Sequence, residues 1–319
     1  MSDDRYIISA SRRTDIPAFF VRWFLEQLRA GWVDVPNPFS GKLQHISLQR
    51  DHVRAIVFWS RDYAPLLPHL DEIDDRGYPV LFHFTITGLP KVLEPHGISV
   101  ARAVYLAERL SMRYSPEHVL WRFDPMIISN ETPPSWIIEK FDETAQMLKG
   151  VVRRVYVSLI DFYSKVKRNL SALQSQTGIQ VVDPPISEKR LIGQELGSIA
   201  TRYGLEIYSC TEPALVGAGG IKRGSCIDAQ LLESLYPGAG YGVPEHPTRA
   251  GCGCFESKDI GIYNTCFFGC RYCYATSSLQ QAKKGASFYK IKRSVATPAD
   301  NGKSIQRVEQ LSPLIATQA

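Results

Sequence analysis

With 319 residues, 44% of them apolar and 11% aromatic, the chain can bury a large core, which excludes disorder over most of its length. A formal charge of +5, with Lys and Arg spread rather than gathered in runs, permits an anionic substrate and gives no basic footprint of a nucleic-acid surface. The opening "MSDDRYIISA" has acids where a signal peptide has bases, and no apolar stretch is long enough to span a bilayer, so a soluble, cytoplasmic protein without membrane contact is expected.

The first element is the run "RYIISA", trailed by a polar cluster of Ser9, Ser11, Arg12, Arg13 and Asp15. A helical pattern follows from Ala18 to Ala30, opened by Asp15 and Pro17 and closed by Gly31. "RAIVFWS" reads as a strand ending on Trp59, Ser60 and Arg61, and "YPVLFHFTIT" as one carrying His83, Thr85 and Thr87. An amphipathic segment from Ser99 to Tyr114 leads to "HVLWRF", with Arg122 and Asp124 at its end. A helix from Pro134 to Lys149 leads to "RRVYVSLI", with Ser158 and Asp161 at its end, and a helix from Ser187 to Tyr203 to "LEIYSC". The last predicted strand is "DIGIYN".

Most of these strands are apolar throughout, as parallel strands buried on both faces are. Their alternation with helices predicts an α/β fold: a parallel β/α barrel or partial (TIM-like) barrel over residues 1–212, with a doubly wound sheet as the alternative. In such barrels the carboxyl ends of the strands build the active site, so the polar clusters would converge on one mouth.

From residue 213 the texture changes. "GAGGIKRGSC" and "YPGAGYGVPEHPTRAGCGC" are rich in Gly and Pro, with one short helical piece from Asp228 to Tyr236. A Cys-rich region over 213–290 is expected to complete the barrel, and a mobile tail over 291–319 to follow it. The first 209 residues hold no cysteine, and all seven fall between Cys210 and Cys273. In a reducing compartment such clustering points to metal rather than disulfides.

The stretch "NTCFFGCRYCYATSS" places Cys266, Cys270 and Cys273 at C-x3-C-x2-C spacing. Three thiolates on one loop can wrap a face of a [4Fe–4S] cluster and leave one iron open. With Tyr272 directly before the last cysteine, this stretch resembles the signature of the radical S-adenosylmethionine (SAM) superfamily, and "TCFFGCRYCYA" is similar to the loop of its spore photoproduct lyase-like branch. That resemblance implies SAM chelated at the open iron, Tyr272 near the adenine, and a reductant such as a ferredoxin or flavodoxin.

The whole chain also resembles a bacterial domain-of-unknown-function family, DUF1848, through "ISASRRTDIPAF", "WRFDP" and "CGCFESKDIGIYNTCFFGCRYCYA". This implies a C-terminal cluster site and no particular reaction. Ordinary radical SAM enzymes carry the loop after the first barrel strand and a Gly-Gly-Glu-like element after the second; here the loop lies near the chain's end, and "AGGIKRG" lacks the acid. A circular permutation would reconcile the position, if "DIGIYN" pairs beside "RYIISA".

The remaining Cys210, Cys226, Cys252 and Cys254 form a complete set for a second [4Fe–4S] cluster or a structural zinc. Arg12 and Arg13, ahead of a helix start, are candidates to hold the SAM carboxylate or an anionic substrate; the alternative is that Asp15 caps the helix while one arginine pairs with Asp124. Arg122 and Asp124 could order the mouth or form an ion pair between strands. His83 reads as a hydrogen-bonded core residue before a base, and Lys222 and Arg223 as solvated. The alternative function is a non-catalytic protein with zinc or an electron-transfer cluster, bound to nucleic acid or serving DNA repair.

Overall fold

The protein is described by a computed structural model covering residues 4–249 and 251–290. The expected tail at 291–319 lies outside these residues.

Eight strands form one sheet: β1 (Tyr6–Ala10), β2 (Val53–Ser60), β3 (Val80–Thr85), β4 (Val119–Met126), β5 (Arg154–Leu159), β6 (Glu206–Ser209), β7 (Lys222–Arg223) and β8 (Ser257–Asp259). Every ladder between neighbours is parallel. The spatial order is β7-β6-β5-β4-β3-β2-β1-β8, so strands follow one another in chain order and the last lies beside the first. A doubly wound sheet reverses its order at a switch point, and this one does not. The architecture is an α/β fold consistent with a TIM-like barrel.

The helices Val21–Ala30, Val100–Arg113, Pro134–Met147 and Ile186–Arg202 fall close to their predicted bounds. Asp15 caps the turn Ile16–Phe19 by accepting from the Ala18 amide at 2.9 Å, and Gly31 ends the next helix at φ 77°. The helices Leu70–Asp75, Ser164–Thr177 and Leu279–Gly285 and the hairpin of Trp32–Pro36 with Leu43–Ser47 were not marked by the sequence patterns.

Both faces of the sheet are buried along its central strands, as the apolar runs require. Ile8, Phe58, Phe82, Trp121 and Val157 pack on the helices through residues such as Phe24, Leu110 and Phe141. Ile7, Val57, Leu81, Leu120 and Tyr156, on the opposite face, share a cluster with Ile227 and with Leu231 and Leu232 of the short helix Ala229–Leu235. That helix fills the inside of the sheet. The C-terminal strand does pair with β1, but over other residues than predicted: the strand is Ser257–Asp259, aligned on Ile7–Ser9, and most of "DIGIYN" follows it. Between β7 and β8 the chain is bridged by Phe255 N–H donating to Ile227 O at 3.1 Å and Ser225 Oγ donating to Gly253 O at 2.5 Å.

Candidate metal centres

Cys210 directly follows β6, Cys226 lies three residues after β7, and the chain returns with Cys252 and Cys254 just ahead of β8. The four sulfurs form a contact chain: Cys210 lies 3.0 Å from Cys226, and Cys254 is in hydrogen-bonding contact with both Cys226 and Cys252. Three are buried and Cys210 is half-buried.

Hydrogen-bond donors are aimed at these sulfurs. Arg122 Nη1 donates to Cys226 Sγ at 3.0 Å, Ile227 N–H to Cys254 Sγ at 3.5 Å, and Cys254 N–H to Cys252 Sγ at 3.4 Å. Contact with Cys254 leads the causes that bring the Cys252 thiol down to about 5, with Thr248 assisting against burial. Contact with Cys226 raises the Cys210 thiol well above its usual range, with burial acting the same way. Donors around thiolate sulfur are the surroundings that sulfur-ligated clusters use. The sulfurs do not gather around one point: among the described residues no group of three or more His, Cys, Asp or Glu could hold a single metal ion.

Beneath this set lies a charged layer inside the sheet. The buried Arg122 guanidinium also donates to Asp124, its neighbour two residues along the same strand, and sits 5.3 Å from the Trp59 ring centroid and 5.8 Å from that of Tyr156. Asp124 is thus matched by Arg122 rather than by Arg12 or Arg13, and the pair lies within one strand rather than between two. His83 stacks on Trp59 at 4.1 Å and meets Cys226 O with Nε2 at 2.6 Å. A carbonyl only accepts, so Nε2 carries the proton, and burial holds the ring's pKa well below its usual value. His83 is the hydrogen-bonded interior residue expected, with its Nδ1 and the Trp59 Nε1 left without protein partners.

The three-cysteine loop covers the carboxyl end of the sheet beside this layer. Cys266 sits seven residues after β8, and its sulfur accepts from the Phe268 amide; burial leads the causes raising its thiol pKa, with Asp15 adding to it. Burial likewise pushes the Cys270 thiol up to about 12, and Arg61 opposes it. Cys273 Sγ accepts from Thr276 N–H at 3.2 Å. Asp15, buried, accepts from Ser60 Oγ and Arg61 N–H at 2.8 Å each, and desolvation raises its carboxyl to about 7.

Arg12 and Arg13 stand at this mouth as predicted, with an acid the sequence did not single out: Asp259, 3.6 Å from Arg12 Nε and 4.0 Å from Arg13 Nε. Arg12 also donates to Ser257 Oγ at 3.0 Å, and Tyr274 O–H donates to Arg12 O at 2.6 Å. Lys222 and Arg223 are exposed on β7, as expected. Tyr272 is buried, its hydroxyl donating to Glu94 and accepting from Arg61 at 2.8 Å. Glu94 lies in the loop "GLPKVLEPHG", where no spacing or pattern distinguishes it. Arg249 joins Asp161, Tyr163 and Thr211 at the rim, a contact equally absent from any sequence pattern.

A family model described as a domain of unknown function, DUF1848, matches residues 7–275. The chain belongs to this family. All seven cysteines lie inside the DUF1848 match, which ends two residues after Cys273. No curated protein matches the chain at a significant level. Among solved structures, six chains match; one is a crystal structure of D-hydantoinase, at 10% identity and a TM-score of 0.28, with 57% of this chain and 40% of that chain covered. The chain therefore spans less than half the length of that protein. No helix among the described residues is long and apolar enough to cross a membrane.

Proposed function

We propose that this DUF1848 chain is a cytoplasmic iron–sulfur enzyme of radical SAM type, with a [4Fe–4S] cluster held by Cys266, Cys270 and Cys273 and a second held by Cys210, Cys226, Cys252 and Cys254. The observation that carries the reading is the parallel pairing of β8 with β1, which sets the three-cysteine loop at the carboxyl end of the sheet despite its place late in the chain. Bound there and reduced, such an open-cornered cluster would supply the one electron that splits SAM into methionine and a deoxyadenosyl radical able to abstract hydrogen from a substrate.

The chain's own residues would do the rest. Cys226, Cys252, Cys254 and Cys273 each have an N–H group donating to the sulfur, and a fourth protein thiol is absent from the C-x3-C-x2-C loop. Tyr272 offers a fixed ring beside Cys270 and Cys273. Arg12 and Arg13 form a basic edge next to that loop, suited to a carboxylate once Asp259 is shared. Cys270 packs against the apolar cluster that contains Leu93 and Ile160.

The test is anaerobic purification, a count of iron and zinc, and addition of SAM with dithionite. About eight irons per chain, four for each cubane, together with release of deoxyadenosine, are expected. Cys270→Ala should abolish the SAM-dependent spectral change and keep the second cluster. Stoichiometric zinc without iron sinks the reading in favour of a metal-stapled, non-catalytic protein.

A further inference from the structure

The loop between β3 and the helix Val100–Arg113 clasps the three-cysteine loop from both sides. Leu93 O accepts from Arg271 N–H at 3.0 Å, and His96 N–H donates to Phe268 O at 3.3 Å. Between those two residues stands Glu94, 5% exposed. Its carboxylate accepts from Tyr272 and from Thr87 at 2.8 Å, and is paired with Arg61, whose Nη1 donates to the Tyr272 hydroxyl at 2.8 Å. Arg61 is held in turn by Thr87 at 3.1 Å. Both charges lie near enough to act on the Cys270 sulfur.

We propose that Glu94 and Arg61 are positioning residues for the three-cysteine loop: by closing a ring of hydrogen bonds on the Tyr272 phenol, they fix the backbone from Cys270 to Cys273 before anything binds there. A buried ion pair serving the barrel alone would need no tyrosine, and an aromatic side chain serving as a stacking face alone would need no hydroxyl. Here one phenol is both donor and acceptor to the two ends of the pair, so the loop cannot shift without breaking a buried, charge-assisted bond. The part of this that concerns a cluster rests on the function proposed above.

The test is amide hydrogen exchange on the full chain as purified, whatever metal it holds, so that it is decided separately from the iron and SAM measurements. Glu94→Ala leaves Arg61 buried and uncompensated and is at risk of misfolding. Tyr272→Phe and Glu94→Gln are the informative variants. Each should speed exchange across residues 261–278 about tenfold with the strands β1 to β5 unchanged, and the double variant should be no faster than the faster single one. In iron-loaded chain, the same variants should alter the electron paramagnetic resonance signal of the three-cysteine site and leave that of the four-cysteine site alone. Unchanged exchange in both variants, loss of protection spread evenly through the barrel, or additive effects would each overturn the proposal, as would an unaltered signal from the three-cysteine site.

Discussion

Asp259 accepts a hydrogen bond from the Ser11 hydroxyl at 2.6 Å, joining residues 248 positions apart. The same carboxylate takes Ser9 Oγ at 2.9 Å, the Arg12 amide at 2.8 Å and the Gly261 amide at 3.0 Å, with two guanidinium groups beside it. It is what fastens the short edge strand β8 to β1, since a three-residue ladder supplies little alone. Asp259→Ala should therefore cost about 3–5 kcal/mol, the range for breaking a buried charged pair and stranding its donors. Asp259→Asn, which retains one acceptor oxygen, should cost less. Urea midpoints measure both, and a loss below about 1 kcal/mol for Asp259→Ala would mean that β8 is held by other contacts.

The strands β1 to β5 were legible because burial on both faces forces largely apolar runs, and Gly31 and Ser99 marked helix ends by conformation and capping. The last strand was misplaced for a physical reason. "SKD" is polar and short, as an edge strand is, while "IGI" owes its apolar look to packing below the loop. A Cβ on Gly261 would stand 2.0 Å from Ser11 Oγ, so the chain there is turning tightly against β1. The helix Ser164–Thr177 was missed because only Val166, Leu170 and Leu173 are buried along it. The cysteines were legible by spacing, yet their partners were not. Arg12 meets Asp259 and Tyr272 meets Glu94 through the convergence of separate loops at one end of the sheet, a relation that no local pattern carries.

Metal removal gives the second expectation. A ligand that binds only the folded chain stabilises it by about 2.7 kcal/mol at a hundred times its dissociation constant, and the four cysteines join the ends of β6 and β7 to the start of β8. Chelation or Cys252→Ser should lower Tm, and the two treatments combined should do no more than the larger alone. Calorimetry on matched samples decides it; a Tm indifferent to metal would show that the seam holds through Phe255 and Ser225 without it.

His118 sets a pH dependence. Its ring is half-buried between Tyr114 and Tyr236, with Nδ1 2.8 Å from Ser115 Oγ, and burial lowers its pKa, with Glu117 opposing weakly. A histidine depressed by folding binds fewer protons in the folded than in the unfolded chain just below pH 6.5. Its contribution is present above that pH and is lost as pH falls through the lowered value. His118→Gln removes the titration, so the stability difference between parent and variant should shrink in the parent's disfavour from pH 7.5 to pH 5. Urea midpoints at several pH values check this, and a difference that is flat with pH would refute it.

The helix Ala229–Leu235, which fills the inside of the sheet, is held by a return of the chain so close that only glycine fits. A Cβ on Gly240 would stand 1.7 Å from Ala229 O and 2.9 Å from Glu233 N, both backbone atoms of that helix. Gly240 N–H also donates to Glu233 at 3.0 Å, with the amides of Gly238 and Tyr241 on the same carboxylate. Neither helix backbone atom can yield without moving Leu231 and Leu232 out of the cluster they share with five strands. Gly240→Ala should therefore cost at least the 1–3 kcal/mol typical of overpacking. Gly242 is the control: it lies two residues on at φ 71° with open space where a methyl would go, so Gly242→Ala carries only the left-handed backbone penalty of about 1–2 kcal/mol. If Gly240→Ala proves no worse than Gly242→Ala in urea, the close approach is not what seats the helix, and the inside of the barrel is more yielding than its packing implies.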